Sequence, residues 1–355
     1  MVESLGALGM ADDFLNRYVG IAREATYGTD PGSGYIYGEV DDESLQHRFD
    51  LMVREDMSRP IASKAVTGKE YSEGDISMAV QVDDFVGNLF YSFFPVDTQT
   101  TDGSYEIHTL DEPVATTAEW PSWTIQVGRE EKMHTYTGMA ADSLNISANV
   151  GEYVMLSVGF VGKAEGSTGA LLTPTFDGDA LDALYFSDGE VQFSSGSSLG
   201  GASATVKSIS LDIGLNRDTD NSYALGSSTC VRMPPAQRRE ITGSIEFNEV
   251  IYGSGGPANE PTYDDLIAAD GDDVTDGTNG ALILKFQSQA DSDEYILLKC
   301  FHVFYEAPTA NVSGRDTNTM SCSFTALYDA GTADKAMQVT LKGTALSATA
   351  YSAGL

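Results

Sequence analysis

Short runs in which apolar and polar residues alternate recur along the whole chain and predict β-strands. Clear examples are SLQHRFDLMV at 44–53, WTIQVGR at 123–129, VKSISLDIGL at 206–215 and ALILKFQS at 281–288. Clusters of Gly, Ser, Thr and Asp separate these runs, as is typical of turns between strands. Long helical periodicity is absent, so the pattern predicts an all-β fold with short helices.

The stretch at 135–162 predicts an antiparallel hairpin that is packed on one side and wet on the other. The turn lies at 149–152, and one residue in two is apolar on each side of it. These apolar positions are Leu144, Ile146, Ala148 and Val150 before the turn, and Val154, Leu156, Val158 and Phe160 after it. In the second half of the chain, 295–306 and 318–329 predict a comparable pair of strands.

Two segments carry helix signals. PTYDDLIAADG at 261–271 begins with Pro and Thr, continues with acidic residues and ends with glycine, which predicts a short helix. DDFVGNLFYSFF at 83–94 also predicts a helix, although its aromatic residues and Gly87 are compatible with a strand as well.

The chain contains one strand pattern twice. GKEYSEGDISMAV at 68–80 and RREITGSIEFNEV at 238–250 each place a glycine before an alternating run. Aligning the glycines pairs Gly74, Ile76 and Met78 with Gly243, Ile245 and Phe247, respectively. The surrounding predicted elements follow the same order, which indicates a duplicated domain of roughly 150 residues. The alternative is that any two all-β domains share such alternation.

A length of 355 residues suits two domains of ordinary size. We expect an N-terminal arm at 1–35, a first domain at 36–165, a Gly/Ser/Asp-rich connector at 166–205 and a second domain at 206–355. The native start could be Met1 or Met10. The long segment at 97–120 reads as a loop, which would lie on an outer surface or reach a neighbouring molecule.

Charge narrows the possible partners. The chain has 53 Asp and Glu against 20 Lys and Arg, a net charge of −33, which repels phosphate backbones and anionic lipid surfaces. The acids are spread among apolar strands, so the folded surface itself is acidic. Such a surface suits molar salt, where the Debye length falls to about 3 Å, and indicates a haloarchaeal setting.

Other features argue for synthesis inside a cell and against a membrane segment. Cys230, Cys300 and Cys322 form no CxxC pair and cannot all be bridged, which favours a reduced compartment. The first 20 residues lack the pattern of a signal peptide. The apolar stretch at 295–305 is too short to span a bilayer.

No motif predicts an enzyme. Residues 196–200 match G-x-S-x-G, but Ser198 lies in a polar linker where no helix can follow, as a nucleophile elbow requires. GSGYIYG at 32–38 lacks the helix that follows a phosphate-binding loop. Carboxylate pairs for glycoside hydrolysis are not singled out by context. We therefore expect no catalytic residues and no cofactor.

No motif predicts a metal site either. His47, His108, His134 and His302 are scattered singly, without the convergent ligands that zinc needs. The acidic stretch at 270–280 lacks the final glutamate of an EF-hand loop and reads as a solvated loop.

GIAREATYGTD at 20–30 resembles the start of tail tube proteins of long-tailed viruses, in which such residues introduce an extended N-terminal arm. Further similar stretches are 135–162, SISLDIGLN followed by REITGSIEFNEV, and TYDDLIAA, in the order that the family shows. Together they extend from about residue 16 to 346. The resemblance implies β-sandwich or barrel-like domains whose inner sheets join those of neighbours into a closed barrel, which would pair the open strand edges.

The same resemblance implies a major tail tube protein of a siphovirus-type virus, located in the virion tail and synthesised in the host cytoplasm. Single-domain members form six-membered rings, so a doubled chain is expected to form a ring of three subunits with pseudo-sixfold symmetry; the alternative is a hexameric ring. Stacked rings would carry DNA without binding it specifically. Net negative charge in the lumen would favour transit, yet most of the acidity is expected on the outside, since salt screens the repulsion.

The resemblance also implies partners and a contact between rings. The partners are the tape measure, tail terminator and distal tail proteins. The expected inter-ring arm includes Ile21, Tyr27, Gly28, Thr29 and Tyr35, and it is expected to order when rings stack. Two other hypotheses are a cell-surface or carbohydrate-binding β-sandwich protein of a halophile and a hydrolase that uses a carboxylate pair.

Overall fold

A computed structural model describes residues 17–353 apart from 56, 59, 63, 114–118, 167, 177–181, 196–202, 204, 254–260, 269–279, 311–317 and 330–333. The described chain is mostly β-strand. The strands are β1 Tyr18–Arg23, β2 Ile36–Gly38, β3 Asp42–Glu43, β4 Gln46–Arg54, β5 Lys64–Ala79, β6 Val96–Asp102, β7 Tyr105–Asp111, β8 Trp123–Arg129, β9 Lys132–Asn149, β10 Met155–Gly162, β11 Ala164–Glu165, β12 Gly189–Ser195, β13 Val206–Gly214, β14 Glu240–Phe247, β15 Gly280–Gln287, β16 Tyr295–Cys300, β17 Val303–Tyr305, β18 Met320–Ala326 and β19 Met337–Gly343.

The described residues also form two short α-helices, α1 Asp84–Tyr91 and α2 Tyr263–Ala268, and 3₁₀ turns at Phe186–Asp188, Asp220–Ser222 and Tyr351–Ala353. Asp83 caps α1, because its carboxylate accepts a hydrogen bond from the backbone N–H of Val86 at 2.8 Å. The residues of α1 after Asp84 are buried, which explains why an aromatic-rich sequence with a glycine forms a helix here. The predicted all-β fold with short helices is confirmed.

A 13-stranded sheet crosses the molecule in the order β17-β18-β14-β13-β9-β10-β5-β3, with β4 also paired to β5. One face of this sheet is buried. The predicted hairpin at 135–162 is confirmed as β9 and β10, with register Leu156 opposite Ile146. Val150 differs from the expectation, since it is 60% exposed at the turn.

A six-stranded sheet lies in the order β12-β15-β16-β19-β7-β6. Its β6 and β7 form a hairpin from residues 96–111, in the segment that the sequence suggested was a loop. Polar residues occupy both faces of β6, so alternation gave no strand signal there. β7 pairs with β19 near the end of the chain, and β12 comes from the predicted connector.

The strand pairings follow the same order in both halves of the chain. In the first half β4 pairs with β5, β5 with β10 and β10 with β9, while β1 pairs with β8 and β8 with β9. In the second half β13 pairs with β14, β14 with β18 and β18 with β17, while β12 pairs with β15 and β15 with β16.

The two halves share one core. Strand β9 pairs with β13, so the large sheet continues from one half into the other. The guanidinium carbons of Arg217 and Arg239 lie over the indole of Trp120, 5.6 and 5.3 Å from the ring centroid. Both contacts are cation–π interactions. Arg239 also pairs with Glu112 at 3.3 Å. These contacts fix the halves to each other.

Candidate assembly surfaces

The outward face of the 13-stranded sheet is lined mainly by small hydroxyl side chains, and we call it the hydroxyl face. It arises because the polar positions of several alternating strands are serines or threonines, while the apolar positions face the core. Its members include Ser77, Ser143, Ser147, Ser157, Ser208, Ser210, Thr242, Ser244, Ser321, Ser323 and Thr325.

The strand register places these hydroxyls in rows across both halves. Ser147, Ser210, Ser244 and Ser323 lie opposite one another on four neighbouring strands. In another row the hydroxyl oxygens of Ser77 and Ser157 are 2.8 Å apart, in register with Asn145 on the next strand. The rows form one continuous polar surface.

Charge on the hydroxyl face is net negative, because the carboxylates of Asp75, Asp212 and Glu240 are exposed on it, while its cations Arg48 and Lys207 are paired with glutamates. Arg48 lies 2.8 Å from Glu73, and Lys207 lies 2.8 Å from Glu246. Asp212 accepts a hydrogen bond from the Asn145 amide at 2.7 Å. A surface of this kind offers hydration but few free cations for a phosphate group.

The hairpin formed by β4 and β5 presents apolar side chains to solvent. Phe49, Leu51, Met52 and Val53 are each at least half exposed, and Val66 is 59% exposed on the partner strand. A cluster of exposed apolar side chains on one element indicates an interaction surface. The base of the hairpin is held by the second half of the chain, since the backbone N–H of Glu70 donates to Ser228 O at 2.8 Å.

The large sheet has an open edge at each end. Among the described residues, β4 pairs only with β5 and β17 only with β18. Unpaired backbone N–H and C=O groups at such edges are templates for another strand.

The N-terminal motif GIAREATYGTD is organised by the buried carboxylate of Glu24. It accepts hydrogen bonds from the N–H of Gly28 at 2.7 Å, Ser122 Oγ at 2.7 Å, Thr124 Oγ1 at 2.8 Å and the N–H of Gly138 at 2.7 Å. Gly28 has φ of +71°, a conformation that favours glycine. The Glu and Gly of the motif therefore hold one turn against β8 and β9.

The residues expected to form an inter-ring arm occupy different environments. Ile21 lies in β1 and is 1% exposed. Tyr27 packs against the backbone at Gly138, and burial raises its pKa. Thr29 is exposed, and the hydroxyl of Tyr35 donates to Asp30 at 2.5 Å. Within the single chain, the longest exposed run of the segment is therefore 29–34.

The aligned glycines have similar neighbours. Gly74 lies opposite Phe160, and Gly243 opposite Phe324. A Cβ atom at Gly74 would come within 2.5 Å of Ser44 O, and one at Gly243 within 2.4 Å of Ser210 O.

The side chains that follow the aligned glycines also face matching partners. Ile76 and Met78 lie opposite Val158 and Leu156. Ile245 and Phe247 lie opposite Cys322 and Met320.

The four histidines stand apart from one another. His108 is buried and contacts Asp97 at 2.9 Å and Ser347 O at 2.8 Å. His134 contacts Glu165 at 2.6 Å, while His47 and His302 are partly exposed. Ser198 and the acidic stretch at 270–279 lie outside the described residues.

The described part of the chain contains neither a cluster of metal ligands nor a membrane-spanning helix. In the described ranges, no group of three or more His, Cys, Asp or Glu side chains is arranged to hold a metal ion. The helices of the described chain include none with the length and apolar character needed to cross a membrane.

Sequence reasoning missed the hydroxyl face and the buried carboxylate. A signal for the first was present, because the polar positions in SISLDIG and MSCSFT are mostly serine rather than charged residues. Glu24 gave no comparable signal, since its four donors come from residues 28, 122, 124 and 138. Only the fold brings them together.

Comparison with known families gives a match over most of the chain. A family model described as phage tail tube protein matches residues 15–248, about two thirds of the chain. No curated protein matches the chain. The family's role is structural, and it does not favour a cell-surface carbohydrate-binding protein. The chain belongs to the phage tail tube protein family.

Proposed function

We propose that this protein is the major tail tube protein of a siphovirus-type virus of a haloarchaeal host, and that its subunits form rings that stack into the tube. The hydroxyl face carries the proposal, because it extends through both halves of the chain and ends in open strand edges. Family membership supports the tail tube role.

We assign the hydroxyl face to the channel. A DNA duplex passing along it meets hydroxyls, ion pairs and a few carboxylates, so phosphates find few cations that would hold them. The wall then favours transit without specific binding. The carboxylates that make up the net charge of −33 lie mainly elsewhere, in keeping with an acidic outer surface.

The duplicated pairing order supports two tube-wall units per chain. A first unit at 36–165 and a second at 206–355 would each supply one segment of the ring. Family members with one unit form six-membered rings, so three copies of this chain would close a ring with pseudo-sixfold symmetry. The β6–β7 hairpin belongs to the first half but pairs with β19 of the second half. It would therefore tie the two units of each subunit together.

The segment at 29–35 is the proposed contact with the next ring. Residues 18–28 are anchored by β1 and Glu24, so an arm that becomes ordered on stacking would begin after Gly28. Amide hydrogen exchange should therefore slow at 29–35 when tubes assemble, while Ile21 exchanges slowly in both states. Equal exchange at 29–35 in the free subunit and the tube would contradict this role.

Electron microscopy of the purified protein over a range of salt concentrations tests the central proposal. Expected are tubes of stacked rings, with three subunits per ring in symmetry-resolved images. Images with six subunits per ring would overturn the proposed stoichiometry of three but leave the tail tube function standing. Monomers under every salt condition would overturn the proposal. Tape measure, tail terminator and distal tail proteins are the expected partners at the ends and in the lumen.

A further inference from the structure

The junction between the two halves provides a template for a junction between subunits. Strand β9 meets β13 in an antiparallel register that places Asn145 opposite Asp212 and Ser143 opposite Gly214. The Asn145 amide donates to the Asp212 carboxylate at 2.7 Å across this junction. Within the large sheet, this is where a strand of the first half pairs with a strand of the second among the described residues.

The residues that correspond to β13 in the first half lie in β3 and β4. In the second half, Leu211 lies opposite Gly243 in β14. In the first half, Gln46 lies opposite Glu73, so the preceding residue, Leu45, lies opposite Gly74. Both leucines are almost fully buried. Counting one residue onward, Gln46 takes the position of Asp212.

The residues that correspond to β9 in the second half lie at and after β17. Tyr305 is opposite Phe324 as Ala141 is opposite Phe160. In the first half, Asn145 then lies opposite Ser157.

The second half repeats this spacing. Thr309 and Ser321 bridge each other, so four residues on one strand again match three on its neighbour, a β-bulge at the same place. Thr309 therefore takes the position of Asn145.

We propose that neighbouring subunits in the ring join by pairing β4 of one copy with the segment after β17 of the next, in this internal register. Gln46 then lies opposite Thr309, and Arg48 opposite Ala307. The proposal rests on the proposed ring and names the edges that close it. Gln46, Arg48, Ala307 and Thr309 are all exposed in the single chain.

Proline makes this junction weaker than the template. Thr309 exchanges both backbone hydrogen bonds with Ser321, at 2.8 and 3.0 Å, so the neighbouring Pro308 faces the open edge. Its carbonyl can accept the N–H of His47 from the next copy, but it has no N–H to donate in return. Rings should therefore separate into subunits before the halves of a subunit separate.

A pair of cysteines tests the register. Residues in a non-hydrogen-bonded antiparallel pair have Cα atoms about 4.5 Å apart, within the range of a disulfide. The Gln46→Cys/Thr309→Cys variant should thus form disulfides between copies in oxidised tubes, which a non-reducing denaturing gel shows as covalent oligomers up to the size of one ring. Native Cys230, Cys300 and Cys322 are buried.

Two control pairs accompany it. Arg48→Cys/Thr309→Cys is displaced by two residues, at Cα separations of about 7–8 Å, and should yield at least about tenfold less product since this exceeds usual disulfide geometry. Asn145→Cys/Asp212→Cys reproduces the template and should close within one chain, without oligomers.

Amide exchange of the unmodified protein gives a second readout that needs no variant. By the same count His47 corresponds to Ile213 in β13 and Phe49 to Leu215 just after it, and the N–H of Leu215 donates to Asp142 O at 2.7 Å across the junction. The N–H groups of His47 and Phe49 should both exchange at least about tenfold more slowly in tubes than in free subunits, because they gain acceptors.

The outcomes separate the two proposals. Tubes that form without slower exchange at His47 and Phe49, or with more product from the displaced pair, would overturn the register and leave the tail tube function standing. Failure to form rings or tubes would overturn both. Covalent oligomers from Gln46→Cys/Thr309→Cys together with protected amides would establish the junction.

Discussion

At the scale of single residues, buried polar groups hold segments together that are distant in sequence. Glu24 fixes the N-terminal turn to β8 and β9, and His108 joins the β6–β7 hairpin to the C-terminal segment through Ser347 O. Such groups are costly to leave unpartnered. Substituting such a group should therefore destabilise segments that are distant from it in the sequence.

We expect Glu24→Ala to lower the free energy of unfolding by about 3–5 kcal/mol, because four hydrogen-bond donors lose a buried charged acceptor. Urea denaturation of the free subunit measures the change. Glu131→Ala is the matched control on an exposed acid and should stay within about 0.5 kcal/mol of the original protein. Equal effects from the two substitutions would show that the Glu24 network is unimportant.

His108 should make stability depend on pH. Burial alone lowers its pKa, but the hydrogen bond and charge of Asp97, the carbonyl of Ser347 and the charge of Asp84 outweigh burial and raise the pKa. Both ring nitrogens face acceptors, which suits the doubly protonated imidazolium. The ring also stacks on Tyr351 at 4.2 Å between centroids.

A raised pKa in the folded state means that this stabilisation is fully present below the unfolded pKa and is lost as pH rises through the folded value. The free energy of unfolding should fall in that window, by at most about 1.4 kcal/mol per pH unit for one proton. His108→Gln should flatten the profile, and His134→Gln is the control for replacing a histidine outside this network. Parallel profiles for the original protein and His108→Gln would rule out the assignment.

At the scale of elements, one glycine in β5 and one in β14 allow neighbouring strands to approach closely in each half. Gly74 and Gly243 both lie where a Cβ atom would meet a backbone carbonyl. We expect Gly74→Ala and Gly243→Ala each to cost about 2–4 kcal/mol, since the backbone must shift. Thermal or urea denaturation measures this.

Gly214 supplies the matched control for these glycines. It lies in β13, where an added Cβ would make only ordinary contacts, the nearest at 3.7 Å. Gly214→Ala should change stability by less than about 1 kcal/mol. A loss at Gly214 as large as at Gly74 would contradict the steric explanation.

The β4–β5 hairpin should matter for assembly but not for folding. Leu51 is 62% exposed in the subunit, so Leu51→Asp should leave the free energy of unfolding within about 0.5 kcal/mol. In tubes its apolar side chain is expected to be covered, and the charge should raise the protein concentration needed for assembly about tenfold or more. Light scattering measures assembly; Ser157→Thr on the hydroxyl face is a control that should assemble normally.

At the scale of the whole molecule, the charge of −33 sets the response to salt. Self-repulsion acts over about 10 Å at 0.1 M salt but only about 3 Å at 1 M. If the protein works in concentrated salt, its midpoint of thermal unfolding should rise by about 10 °C or more between 0.1 and 2 M KCl. Sucrose at matched osmolarity should give a smaller rise, and no difference between KCl and sucrose would argue against a halophilic setting.

Part of this architecture was predictable because local patterns carry it. Alternation in 135–162 identified β9 and β10, and the Pro/Thr start of 261–271 identified α2, since both signals lie within a few residues. β6, with the sequence VDTQTTD, was not predictable as a strand, because its residues show no apolar face and its pairing depends on β7. The connector was predicted to be a polar loop, and β12 within it was missed because its partner strand, β15, lies about 90 residues later in the chain.

By itself, the sequence determined the strand-rich class, the matched strand patterns around Gly74 and Gly243, and the acidic character of the surface, because each is written in local spacing or in composition. Only the tertiary structure decided that β7 pairs with β19, that Glu24 and His108 are enclosed by distant partners, and that one face of the large sheet is lined by hydroxyls. Strand pairing is a contact between segments far apart in the chain. One alternating strand is compatible with many partner strands, and the burial of its apolar face in the core determines which pairing forms.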